Sequence, residues 1–341
     1  MIAVIMAGGE GTRLKSVTGD LPKPMVRLAG KPVLEHILKL LRRSGITEAC
    51  ITLRYRPELI REYFGDGSEF GMQLTYHVET EPLGTAGGVR ACREFYGDRD
   101  FLVISGDCAC DFDLKPLMEA HRRHCPAVTM ALYAHEQPLQ YGIVLTDRFD
   151  RVVSFVEKPD WARVVSDLVN TGIYIVSPAA MEYVPDGVPF DFAKDLFPKL
   201  MDTGHEIRGI ALPGYWCDVG TPRAYHQCCL DALDGRLFLE DVPAEAPPRQ
   251  NYASRSDAGT RLLYHCRSRA GLMRQLSRYL MEAGADFSDG LSVQNSAGTV
   301  RIRPAADRSE LQISASTPNP ADARKLAEDY AALARWLDGE S

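Results

Sequence analysis

The chain opens on a short apolar run, Ile2–Met6, of the kind that forms a buried strand. Similar runs recur at residues 49–53, 73–78 and 101–104. Between them the apolar positions change to helical spacing. Leu34, Ile37, Leu38 and Leu41 follow a helix start at Pro32 and end at Gly45, and residues 57–64 form a second helix stopped by Gly65. Strand and helix thus alternate, which predicts an α/β fold with a Rossmann-like, mainly parallel sheet and a ligand beyond the carboxyl ends of its strands. From Ala127 the pattern is richer in strands, at residues 141–144, 152–156 and 170–174. A helix is expected over residues 190–200, and another from Thr221 and Pro222 to Gly235.

Residues 242–248 are rich in proline and alanine and read as a linker. Beyond it, Leu272, Met273, Leu276 and Leu280 mark an amphipathic helix. Strands are expected at residues 291–294, 299–303 and 311–314. A last helix begins near Asn319 and Pro320, with Leu326, Tyr330, Leu333 and Leu337 on one face. The organisation is therefore a first domain over 1–238, a linker over 239–260 and a small α+β C-terminal domain over 261–341.

Composition narrows the function. With 341 residues, 45% hydrophobic and 25% charged, the chain has the makeup of an ordinary globular protein with about two cores. A net charge of −7 argues against nucleic acid as a partner, which needs a basic face. No apolar run approaches the roughly 20 residues of a membrane span, and the amino terminus has no signal-peptide pattern, so a cytoplasmic protein without membrane partners is expected. The nine cysteines show neither a disulfide framework nor zinc spacing, which fits reduced thiols.

The loop after the first strand carries the chemistry. Gly8, Gly9 and Gly11 let the backbone pass close to an anion, and Thr12 and Arg13 follow at once. The segment is expected to continue as loop through Gly19 and Asp20. Pro22 and Pro24 then hold Lys23 on a stiff tether. No Walker A lysine and no dinucleotide fingerprint are present, so the reading is a phosphate cradle with Arg13 and Lys23 aimed into it. A second loop, from Glu79 through Leu83, Gly84, Thr85 and Ala86, has the small residues that close packing of a helix on the sheet would also explain. Asp107 follows the strand at residues 101–104, where a hard cation such as Mg²⁺ would find an oxygen donor. Asp111 and Asp113 suit a helix cap better.

The series Gly-Gly-x-Gly-Thr-Arg followed by Pro22-Lys23-Pro24 resembles the signature of the sugar-1-phosphate nucleotidyltransferases. The resemblance implies their nucleotide-diphospho-sugar transferase fold, with a nucleoside triphosphate and a sugar-1-phosphate as partners. It assigns nucleotide binding to Gly8, Gly9, Gly11, Thr12, Arg13, Lys23, Glu79, Gly84, Thr85 and Ala86. On the sugar side it matches Tyr141 and Gly142, Glu157 and Lys158, and Asn170 and Thr171. Trp216-Cys217-Asp218-Val219-Gly220 matches the closing W-x-D-x-G motif, so Asp218 joins Asp107 on Mg²⁺. Lys15-Ser16-Val17 departs from the family's more usual Arg-Pro-Leu. The tail resembles the last domain of the phosphohexomutases. Arg303-Pro304-Ala305-Ala306-Asp307 stands where their phosphate loop would be, so no mutase chemistry is expected.

The implied reaction is a single in-line displacement, with Arg13, Lys23, Asp107 and Asp218 as the catalytic set. The run of motifs most resembles the mannose-1-phosphate guanylyltransferases. Glu79 or Glu81 would satisfy the two neighbouring donors of guanine. UTP or dTTP with glucose-1-phosphate is the alternative pair. An idle nucleotide-sugar sensor and a dinucleotide oxidoreductase are the readings from other classes. Whether the chain forms a homo-oligomer stays open.

Overall fold

The computed structural model describes every residue except 161–162, 241–260, 282–284, 288–290, 296–297, 306–309, 318–319 and 340–341. The expected linker at 242–248, the cap at Asn319 and the substituted pair Ala306 and Asp307 lie outside the described residues. The chain divides into two compact units, Met1–Ala131 with Thr171–Pro248, and Leu132–Asn170 with Arg249–Ser341.

The first unit is built on a parallel core. Ile2–Met6 runs parallel to both Glu48–Leu53 and Phe101–Ser105, and Gln73–Val78 continues the sheet beyond Glu48–Leu53. Residues 173–176 of the strand Leu168–Val176 pair antiparallel with Phe101–Ser105 on its other side. The central strands are apolar along their whole length because both faces are covered, and Ala3, Val4, Ile5, Leu102, Val103 and Ile104 are fully buried. The helix Val33–Arg43 begins after Pro32 and places Leu34, Ile37, Leu38 and Leu41 in that core. This is the mixed α/β fold with a mainly parallel sheet that the alternating pattern predicts.

Two local readings need correction. The stretch after Gly11 is not continuous loop, since Thr12–Leu14 is a 3₁₀ turn and Lys15–Thr18 a helical one. Gly11 starts it in the left-handed region at φ 63°, and Leu14, fully buried, anchors it. The helix near residue 190 begins only after Asp191, as a π-turn Phe192–Leu196 that continues as Phe197–Asp202. Asp191 caps it by accepting from the N–H groups of Ala193 and Lys194.

In the second unit, Val152–Glu157 lies antiparallel to Gly142–Thr146, whose Ile143 faces Val169. The tail is a four-stranded antiparallel sheet in the order Arg261–His265, Glu310–Ser316, Gly298–Pro304, Leu291–Asn295. The helices Arg269–Met281 and Pro320–Asp338 cover it, and Leu272, Met273, Leu276, Val300, Ile302, Leu311 and Ile313 form the core between them. The strand Arg261–His265 is an element the sequence pattern missed. Among the described residues, no helix is long and apolar enough to cross a membrane.

Candidate active site

Gly8 and Gly9 leave the end of the first strand and line a cleft of about 320 Å³ in the first unit. Residues at or just beyond the carboxyl ends of the parallel strands supply much of its wall: Met6, Thr52, Arg54, Glu79 and Ser105. Gly84, Thr85, Asp107 and Asp191 complete the polar part. A Cβ on Gly84, which has φ +71°, would stand 2.6 Å from the carbonyl oxygen of Phe190, so only glycine fits where these two loops meet. Thr85 ties the same loops, donating to Asp191 at 2.9 Å and accepting from the N–H of Phe192 at 2.9 Å. Ala86 is buried behind them.

Lys23 is the centre of charge. Its residue is 9% exposed, and its ammonium donates to Asp107 at 2.5 Å and to Asp218 at 3.1 Å. Burial alone would lower the Lys23 pKa, but the charges and hydrogen bonds of the two carboxylates outweigh it and raise it above the ordinary 10.5. The Asp218 carboxyl moves upward from 3.8, first through burial and then through the neighbouring charge of Asp107, with Lys23 and Arg13 opposing. The amine therefore neutralises a pair of like charges that would otherwise repel in a half-buried place.

The backbone holds this triad from three directions. Pro22 and Pro24 fix the turn Lys23–Met25, and Gly11 passes so near that a Cβ there would lie 2.8 Å from the Cβ of Lys23. Asp107 follows Gly106, whose N–H donates to the carbonyl of Met6 at 2.8 Å. Asp218 arrives on the short strand Trp216–Asp218, paired antiparallel with Cys108–Cys110 so that Asp218 faces Cys108. Asp111 does not cap the following helix. It accepts from the N–H groups of Tyr215 at 2.7 Å and Phe238 at 2.9 Å, while Asp113 accepts from Lys115. Trp216 Nε1 donates to the carbonyl of Thr171, securing the same strand.

Two oxygen donors converging on one point suit a hard divalent cation. Among the described residues there is no group of three or more His, Cys, Asp or Glu side chains that could cage one. Asp107 and Asp218 thus offer two of the oxygen donors that such a cation takes.

The remaining expected residues fall as follows. Thr12 and Arg13 are exposed in the 3₁₀ turn. Glu79 is half-buried against the glycines, its Oε1 3.2 Å from where a Cβ on Gly8 would stand, and burial pushes its carboxyl up. Glu81 is exposed and not part of the cleft wall. In the second unit, Gly142 faces Glu157 across the hairpin, and a Cβ on it would meet Glu157 Oε2 at 2.8 Å. Lys158 is exposed at φ 45°, with its N–H donating to the carbonyl of half-buried Tyr141. Asn170 is half-buried, whereas Thr171, in the first unit, is buried and donates its hydroxyl to the carbonyl of Ala131 at 2.6 Å. Sequence reasoning missed Arg54, Ser105 and Asp191. The strand-end rule points to the first two, and Asp191 is marked only by its position as a helix cap.

The nucleotidyl transferase family model matches residues 2–235. A UTP–glucose-1-phosphate uridylyltransferase of Synechocystis sp. is 35% identical over 256 residues, 71% of this chain and 66% of that protein. The mannose-1-phosphate guanylyltransferase of Mycobacterium tuberculosis is 35% identical over 234 residues, 68% of this chain and 65% of that protein. The chain thus spans about two thirds of the length of these curated relatives. Among solved structures, HddC from Yersinia pseudotuberculosis complexed with GMP-PN aligns at TM-score 0.58 and 30% identity, over 67% of this chain and 98% of that one.

Proposed function

Because the chain belongs to the nucleotidyl transferase family, we propose that it joins a nucleoside triphosphate to a sugar-1-phosphate, releasing pyrophosphate. The observation that carries the reading is the Lys23 ammonium held between Asp107 and Asp218 at one side of the glycine-lined cleft. An oxygen of the sugar phosphate attacks the α-phosphorus, the bond from the α-phosphorus to the α,β-bridging oxygen breaks, and pyrophosphate leaves. The protein has little covalent work to do, so its contribution is orientation and charge. The Gly8–Gly11 backbone and Arg13 hold the triphosphate. Lys23 exchanges its carboxylate partners for the α-phosphoryl oxygens, where negative charge grows. Asp107 and Asp218 would hold Mg²⁺, which when bound neutralises phosphate charge.

On the sugar side, Glu157 and Asn170 would bond hydroxyls and Lys158 would neutralise the phosphate. The tail takes no chemical part in this reading. No cysteine, serine or histidine serves as nucleophile in this reading.

For the substrate pair we favour GTP and mannose-1-phosphate. Of the two glutamates, Glu79 lines the cleft and Glu81 does not, so it is Glu79 whose acceptor-only carboxylate would meet the N1–H and N2 amine of guanine. A uracil or thymine carbonyl there would cost about 1–3 kcal/mol. The uridylyltransferase relative keeps UTP with glucose-1-phosphate as the second reading. Pyrophosphate release from GTP, UTP, dTTP, ATP and CTP against mannose-, glucose- and galactose-1-phosphate tests both. Preference for UTP or dTTP over GTP by more than about tenfold, roughly 1.4 kcal/mol, overturns the guanine assignment. Silence in every pair, with Mg²⁺ supplied, overturns the enzyme reading.

A further inference from the structure

The second unit joins the tail to two stretches of the sugar-side segment through one helix, Arg269–Met281. One face of that helix, Leu272, Met273, Leu276 and Leu280, belongs to the tail's own core. Another presents Ala270, Arg274, Ser277 and Arg278, spaced by the period of a helix surface. Ala270 packs with Ile143 and Val164, all three buried, and Leu139 borders them.

The polar contacts are directional. Asp167 is 5% exposed, and its Oδ1 lies 3.1 Å from Arg274 Nε as an ion pair without a hydrogen bond. A Cβ on Gly271 would stand 3.0 Å from Asp167 Oδ2, so the helix backbone comes close only because glycine is there. Ser277 Oγ donates to the carbonyl of Val165 at 2.9 Å. Arg278 donates to Thr146 Oγ1 and lies 3.7 Å from Asp150. The carbonyl of Asp167 in turn accepts from His135. Residues 165–167 lead straight into Leu168–Val176, which carries Asn170, and Thr146 ends the strand that Gly142 begins. A single helix therefore fastens the roots of two of the three sugar-side motifs, those of Gly142 and Asn170.

We propose that the tail is a positioning element for the sugar phosphate, with Arg274, Ser277 and Arg278 as positioning residues and Asp167 as their anchor. The inference rests on the reading of the chain as a nucleotidyltransferase and adds a role for the tail. A buried carboxylate needs a charged partner, and here the partner comes from the tail and not from the segment's own strands. Loss of that partner lets residues 165–170 shift, and small misplacements of a bound reactant are costly in rate and binding. None of the residues in these contacts belongs to the first unit, which carries the nucleotide side.

The test compares wild type with R274M, R274K and S277A in the pyrophosphate-release assay, using the best pair found for wild type. Each variant is also melted, and the two KM values are separated. R274M is expected to raise KM for the sugar-1-phosphate by at least about fivefold while KM for the triphosphate stays within about twofold, with R274K in between. A merely structural role would lower the melting temperature and the active fraction, reducing kcat with both KM values unchanged. That outcome, or equal movement of both KM values, overturns the proposal. If R274M does not fold, S277A and R274K are read by the same criteria. Wild type that turns over no pair removes the underlying function itself, a result distinct from a variant equal to an active wild type.

Discussion

The two units hold their charges in different ways. In the first, Lys23, Asp107 and Asp218 pair with one another beside an open cleft, and each carboxylate side chain keeps about a third of its surface exposed. In the second, Asp167 and Arg274 pair in a closed setting, and the motif residue Lys158 is largely exposed beside Glu157, 3.9 Å away. The first arrangement can exchange partners when a ligand arrives, because both its carboxylates are reachable although Lys23 itself is buried. The second cannot, because its carboxylate is sealed. Charges that react stay partly wet and mutually compensated, whereas charges that hold a frame are buried against a fixed partner.

The largest effect that would break this contrast is at the triad. Asp107→Asn and Asp218→Asn are each expected to lower kcat by about 10³-fold, or roughly 4 kcal/mol, without unfolding the chain. The pH dependence has a definite sign. The Asp218 pKa is raised, so its charged form costs stability above that pKa, and the cost fades as pH falls toward the ordinary carboxylate value of 3.8. Apo Asp218→Asn should therefore melt no lower than wild type at pH 7, and any advantage should shrink in acid. A variant with near-normal turnover at saturating Mg²⁺ would remove the triad from the mechanism.

Next in size is Gly84→Ala. Its positive φ and the Phe190 carbonyl 2.6 Å from a new Cβ predict a loss of about 1–3 kcal/mol in denaturant unfolding, with weaker triphosphate binding. Glu79→Gln should reduce the preference for GTP over UTP by about tenfold, close to 1.4 kcal/mol, as read from kcat/KM. The smallest change is expected at Lys158→Ala, exposed and loosely paired. A rise in sugar-1-phosphate KM of about threefold, below 1 kcal/mol, is its expected signature.

The same contrast explains what the sequence made legible. Short-range patterns were readable: a strand ending in glycines, prolines either side of Lys23, an aspartate after an apolar run, and helical spacing in the tail. Asp218 could be matched to a motif, but its approach to Asp107 depends on the small ribbon between Trp216–Asp218 and Cys108–Cys110, which joins distant segments. Nothing local in Ser166-Asp167 separates a turn from a buried anchor, since its partner Arg274 lies on a helix far along the chain. Asp191 was hidden for a similar reason, since the helix expected over residues 190–200 ran across it and only the folded chain makes it a cap on the cleft wall. The strand Arg261–His265 has too few alternating positions to signal itself and gains its place by pairing with Glu310–Ser316.

The central claim is direct nucleotidyl transfer from triphosphate to sugar phosphate within a charge-lined cleft. Exchange of labelled pyrophosphate into the nucleoside triphosphate, with Mg²⁺ and with or without sugar-1-phosphate, tests it most directly. Exchange is expected only when the sugar-1-phosphate is present, with its loss by about 10³-fold in Lys23→Met. Exchange without any sugar phosphate would reveal a nucleotidylated enzyme, and exchange undiminished in Lys23→Met would deny the triad its role; either contradicts the account.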